Sequence, residues 1–197
     1  MRSSLWLWIS VVAVLGAGPA RAQDEPTNAV GVNLSYATPK DLEQGIGAGM
    51  TLTHVVAMLL SLEFGFEHYT FDHRDASLGT TKGTVSEIPL LITAQIRPQF
   101  GWNPYLGFGV GYYLMSYDQT SEGATLCSCE FTVDNAVVVH FAAGFDVPLD
   151  RRLTLTVDVR SASGDADATR ELSSGVSVSD QVKLDYLKIG AGLKYWF

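Results

Sequence analysis

Nine ionisable side chains stand inside stretches that are otherwise apolar: Glu63 and Glu67 in "LLSLEFGFEHY", Arg97 in "LLITAQIRP", His140 and Asp146 in "VVVHFAAGFDVPL", Asp158 and Arg160 in "LTLTVDVRS", and Lys188 and Lys194 in "KIGAGLKYWF". Within each stretch the spacing is two, four or six residues, so on an extended chain they share one side. Four acids and four bases withdrawn from water have two uses. Paired, they fill space as a salt-bridged plug; left hydrated, they line a polar pore. His140, between small residues, reads as a hydrogen-bonded interior group rather than a base.

Catalysis finds little support. "FEHYTFDH" offers His68 and Thr70 on one side, with Asp72 and His73 following. A nucleophile must lie within hydrogen-bond reach of its base, and Ser61 has the opposite parity to His68. No G-x-S-x-G elbow is present. The reading is a protein that is not an enzyme and carries no cofactor or metal. Cys127 and Cys129 are two residues apart in a loop; oxidising surroundings favour a disulfide between them, ahead of free or intermolecular thiols, with a metal site last. Asp118, Glu122, Glu130, Asp134, Asp165 and Asp167 make the same end of the molecule acidic. They are read as a solvated surface, with divalent cations bridging them to lipopolysaccharide phosphates as the alternative.

The elements that must hold the interior charges are strands. Period-two alternation marks eight segments: 29–37, 44–53, 57–71, 85–97, 103–117, 135–149, 152–162 and 182–197. Most reach the 9–11 residues that a tilted strand needs to cross the hydrocarbon layer. One parity is apolar throughout, as in Val30, Val32, Leu34 and Tyr36, or Leu106, Phe108, Val110 and Tyr112. The other carries the charges together with Gly47, Gly49, Gly107, Gly109, Gly111, Gly190 and Gly192. Glycine weakens a strand unless something must approach closely, and the narrow interior of an eight-stranded barrel is such a place. A β-sandwich would alternate too, but strand length and the glycine-rich polar face favour the barrel.

The expected fold is therefore all-β: an eight-stranded antiparallel transmembrane barrel with short periplasmic turns and long extracellular loops. Short connections fall near His54–Val55, at 98–103 and around Asp150–Arg151, and long ones at 72–84, 118–134 and 163–181. Trp102, Tyr195, Trp196 and Phe197 form one aromatic girdle, and Tyr36, Tyr69, Tyr112 and Tyr117 the other. Eight strands leave so little width that the plug is favoured over the pore, and apolar solutes would have to leave sideways through the wall near the extracellular end.

Residues 1–22 read as a signal peptide, with Arg2, an apolar core from Leu5 to Leu15, and Ala20-Arg21-Ala22 before cleavage ahead of Gln23; residues 23–197 are the barrel domain. No Cys near the cleavage site marks a lipid-modified N-terminus. The whole chain has 13 Lys+Arg against 21 Asp+Glu, a net charge of −8. An acidic balance argues against nucleic acid as a partner.

The segments "EIPLLITAQIRP", "PYLGFGVGYY", "HFAAGFDVPLDRRLTLTVDVR" and "KIGAGLKYWF" resemble the small outer-membrane barrels of the OmpW and opacity-like group, over strands four to eight. The resemblance implies a location in the cell outer membrane after export, with lipid and lipopolysaccharide around the barrel. It implies a narrow conduit or binding site for small, mainly apolar, molecules. The alternative is a structural or surface-interaction protein without transport. The terminal Tyr195-Trp196-Phe197 is similar to the signal by which the barrel-assembly machinery recognises substrates delivered by periplasmic chaperones.

Overall fold

In the computed structural model the described residues are 26–40, 43–75, 81–98, 102–119, 129–172 and 177–197. Eleven strands follow one another: β1 (Asn28–Pro39), β2 (Gly45–Ala57), β3 (Leu60–Asp75), β4 (Thr81–Ile96), β5 (Pro104–Gln119), β6 (Cys129–Val133), β7 (Ala136–Pro148), β8 (Leu153–Ser163), β9 (Asp165–Leu172), β10 (Ser177–Lys183) and β11 (Tyr186–Trp196). Eight of them close a barrel in the order β1-β11-β8-β7-β5-β4-β3-β2, and every pairing in it is antiparallel. Closure is made by β1 against β11, from Ala29 opposite Trp196 to Pro39 opposite Tyr186. In lipid this last seam is obligatory, because an open edge would leave a row of backbone donors and acceptors without partners.

The alternation read from the sequence is the inside–outside alternation of this barrel. Val32, Leu34, Ile46, Met50, Phe66, Ile92, Leu106, Phe108, Val137, Phe141 and Ile189 are exposed large hydrophobics on its outer face. A continuous apolar exterior of this extent belongs against hydrocarbon. Glycines on the inner parity lie where neighbouring side chains leave no room. A Cβ at Gly144 would come within 2.7 Å of the Tyr105 ring, and one at Gly109 within 2.6 Å of His140 Nε2.

Three connections differ from the reading of the sequence. Among the described residues of the segments 72–84, 118–134 and 163–181 most are extended: β3 and β4 rise as a hairpin, with Asp75 opposite Thr81, and β6, β9 and β10 form a separate sheet in the order β10-β9-β6. Residues 177–183 belong to that sheet, so the last barrel strand starts at Tyr186 rather than 182. Above the bilayer no lipid-facing parity is required, and in "DADATREL" the alternation is of Asp with the small Ala166 and Ala168, too weakly apolar to mark a strand face. The first lower turn lies at Met58–Leu59, beyond a bulge between Val55 and Ala57, and not at His54–Val55. In another lower turn Asn103 takes φ 36°, a left-handed conformation that Asn adopts more readily than most residues.

Candidate functional site

Barrel strands expose alternate residues inward, so the interior is written by one parity of each. Glu63, Glu67, Asp146, Asp158, Arg160, Lys188, Lys194 and His140 are buried there, and Arg97 is half-buried at the lower end. The eight charged groups form three ion-paired sets: Glu63 with Lys194, Arg160 and Asp158, Glu67 with Lys188, and Asp146 with Arg97. Lys194 Nζ donates to Glu63 Oε2 at 2.8 Å, and Arg160 Nη2 donates to Glu63 Oε1 at 3.3 Å. Arg160 also lies 3.8 Å from Asp158. Lys188 Nζ donates to Glu67 Oε1 at 2.5 Å, and Arg97 Nη1 to Asp146 Oδ2 at 2.5 Å. Neutral groups complete the carboxylates: Asn33 and Tyr69 donate to Glu67, Thr53 to Glu63 and Thr156 to Asp146. The Arg97 guanidinium sits 4.7 Å from the centre of the Tyr105 ring, a favourable cation–π distance. Buried charges are tolerated when paired and hydrogen-bonded in this way. A cavity of about 20 Å³, lined by Asn33, Glu63, Tyr105, Asp158, Arg160 and Lys194, is the size of a water molecule.

Above the network the interior changes character. Tyr69, Phe71, Val85, Leu91, Tyr113, Val138, Leu184 and Tyr186 pack as a buried cluster. Tyr69 and Phe71 stack with centroids 5.6 Å apart, and the hydroxyls of Tyr113 and Tyr186 meet at 2.5 Å. Tyr69 is therefore an interior residue and not part of an outer girdle; its hydroxyl is held by Ser35 and Glu67. Tyr36 and Tyr112 do face outward, as do Trp102, Tyr195 and Phe197. Sequence reasoning passed over this upper cluster, and also Glu87, which is 2 % exposed on the inner face of β4. Parity alone would have found Glu87, but its inner-face neighbours Val85, Pro89 and Leu91 are apolar and hide the contrast.

The ladder between β3 and β4 is interrupted at one place. Pairing of β3 with β4 runs from Leu60/Ile96 to Phe66/Leu90, skips Glu67/Pro89 and His68/Ile88, and resumes at Tyr69/Glu87 in the same register. Proline brings no N–H to a ladder, which is why it is rare within sheets. On its other side Pro89 keeps its place opposite Tyr113 of β5.

Of the other candidates, Ser61 is buried inside, whereas His68 and Thr70 face outward; the barrel wall separates Ser61 from His68. The side chains of Asp72 and His73 lie outside the described residues, as do those of Asp118, Glu130 and Cys129 and the whole of Glu122 and Cys127, so the bridge between the two cysteines falls there too. Asp134, Asp165 and Asp167 are exposed near the separate sheet. At the lower turn between β7 and β8, Asp150 Oδ1 accepts the amides of Arg152 and Leu153, both at 2.7 Å. Those bonds hold its carboxyl below the ordinary aspartate range.

A closed antiparallel barrel with a lipid-facing apolar exterior and a polar, ion-paired interior is an outer-membrane β-barrel. The chain belongs to the OmpW family, whose model matches residues 19–197. Its location is the Gram-negative outer membrane. Among solved structures it is similar to the outer membrane protein OprG from Pseudomonas aeruginosa, with a TM-score of 0.76 at 16 % identity over 88 % of this chain and 97 % of that one. It is also similar to the outer membrane protein AlkL (0.65, 21 %, covering 91 % and 95 %) and to the Escherichia coli outer membrane protein W (0.58, 16 %, covering 89 % and 100 %). At these identities the likeness is one of fold. No curated protein sequence matches the chain.

Proposed function

We propose that the protein takes small apolar molecules from the cell surface into its upper lumen and releases them sideways, through the wall between β3 and β4, into the outer membrane. The observation that carries this reading is the interrupted ladder at Glu67/Pro89 and His68/Ile88, which lies beside Tyr69 of the apolar cluster. Below it lie the paired charges from Glu67 down to Asp146, around a water-sized cavity, so a solute travelling straight down would have to break several buried ion pairs at once. Breaking one such pair costs roughly 3–5 kcal/mol; a sideways step costs none of them. In the same reading, residues 1–22 are the export leader and lipopolysaccharide surrounds the upper wall.

The test is uptake of N-phenyl-1-naphthylamine, a dye that fluoresces on reaching membrane lipid, by cells making equal amounts of folded protein. Pro89→Val restores the missing N–H, and the expected result is a severalfold slower uptake than with the unaltered chain. Equal rates would sink the sideways route. Planar-bilayer recording is the companion measurement: the folded protein is expected to give no discrete current steps. Steps that change when Glu63, Arg97 or Lys188 is neutralised would mean a hydrated pore instead. A second reading, surface interaction without transport, draws on the sheet β10-β9-β6 standing above the barrel. It requires binding to cells or lipopolysaccharide that is lost when residues 163–181 are shortened while dye uptake persists.

A further inference from the structure

Among the described residues the lumen holds five buried acids and four bases. Glu63, Glu67, Asp146 and Asp158 are matched by Arg97, Arg160, Lys188 and Lys194. Glu87 is the fifth acid, and among the described residues it joins no ion pair. Its Oε1 is buried without a hydrogen-bond partner. Such an atom is unusual, because a buried polar group left unmade costs more than a made bond returns. Its inner-face neighbours are Tyr69 directly opposite on β3, Met115 directly opposite on β5, and Val85 and Pro89 along β4. None of these offers a charge, and the Tyr69 hydroxyl already donates to Glu67. Glu87 also stands at the first pair above the interrupted ladder.

We propose that Glu87 is the head-group site of the conduit, selecting apolar molecules that carry one hydrogen-bond donor, a protonated amine or a hydroxyl, over bare hydrocarbons. The inference rests on the proposed passage through the upper lumen. The apolar body lies among Phe71, Leu91 and Val138, and the donor meets the open carboxylate oxygen. A cationic head would in addition pair with a carboxyl that has no cation of its own among the described residues, and lie beside the tyrosine rings, whose faces attract cations.

The experiment is an amide NMR titration of the folded chain in lipid nanodiscs, with hexylammonium chloride, 1-hexanol and hexane as separate probes. Hexylammonium and 1-hexanol are expected to shift the amides of Tyr69, Glu87 and Tyr113 saturably, with midpoints about tenfold lower than hexane, the ratio one added hydrogen bond to a charged group supplies. Glu87→Gln, which removes the ionisable carboxyl at nearly constant shape, should raise the hexylammonium midpoint about tenfold and the 1-hexanol midpoint less. Glu87→Leu, checked for folding by heat-modifiable gel mobility, should bring all three midpoints together, and it decides the matter if the Gln variant does not assemble. Equal midpoints for the three probes in the unaltered chain, or midpoints unmoved in both variants, overturn the proposal. If hexane alone still saturates the same amides, passage of apolar molecules stands without the head-group site. If no probe shifts any lumen amide, both readings fall.

Discussion

The ring of Tyr69 lies where Gly47, on the neighbouring strand, has no side chain: a Cβ built at Gly47 would overlap Cδ1 and Cε1 of that ring. The glycine is what lets a tyrosine turn into a barrel of eight strands, stack on Phe71, and reach Ser35 and Glu67 with its hydroxyl. Gly47→Ala must displace the ring. The expected loss is about 1–3 kcal/mol, the usual effect of overpacking, read as a lower urea midpoint for the protein in lipid vesicles. An unchanged midpoint would mean that the ring has another place to go.

Glu63 accepts from Lys194 and Arg160 together. Glu63→Gln leaves two buried cations facing a neutral amide, and the expected destabilisation is about 3–5 kcal/mol. Adding Lys194→Met should recover part of it, because the second change removes one of the stranded charges. A double variant that only sums the two single losses would show the pair to be uncoupled.

Asp150 sits at an exposed turn with its carboxylate oxygen on two backbone amides. Its folded-state pKa is lowered, so its contribution is fully present above the unfolded value and is lost as pH falls through the folded one. Asp150 is therefore expected to titrate by carboxyl-carbon NMR below the ordinary aspartate range. Asp150→Asn should remove that acid-side dependence while leaving the barrel assembled at neutral pH. A titration at the ordinary aspartate value would show the two amide bonds to be absent in solution.

Phe197 exchanges backbone hydrogen bonds with Asn28, and its side chain is exposed on the outer face. If Tyr195-Trp196-Phe197 is read by the assembly machinery, Phe197→Ser should cut the amount of heat-modifiable protein in outer membranes severalfold. Refolding of the purified chain into detergent should be nearly unaffected, since the backbone bonds remain. Equal loss in cells and in detergent would assign the residue to barrel stability alone.

The barrel was legible because hydrocarbon imposes one rule on every spanning strand, and residues such as Val32, Leu34 and Phe108 obey it without exception. The ionisable groups on the opposite parity followed from the same rule. Tyr69 was read outward because an aromatic residue suits a girdle, although it shares the inner parity of Glu63 and Glu67; the absence of a side chain at Gly47 is what gives its ring room inside. Pro89 gave no alternation signal at all. Its effect is a missing donor, visible only once β3 is known to be its neighbour. The strands β9 and β10 escaped because the buried face of their sheet is written by residues as small as Ala166 and Ala168, which carry little apolar signal.

The ion pairs of the lumen join segments far apart along the chain: Lys194 to Glu63 across 131 positions, Lys188 to Glu67 across 121, and Arg160 to Glu63 across 97. Both lysines belong to β11, the C-terminal strand that closes the barrel against β1. Until it arrives, Glu63 lacks one of its cations and Glu67 its only lysine, so the half-built interior must hold water. Docking of β11 then seals the wall, supplies the missing charge and drives that water out in a single event. The interior therefore dries only when the sheet is complete.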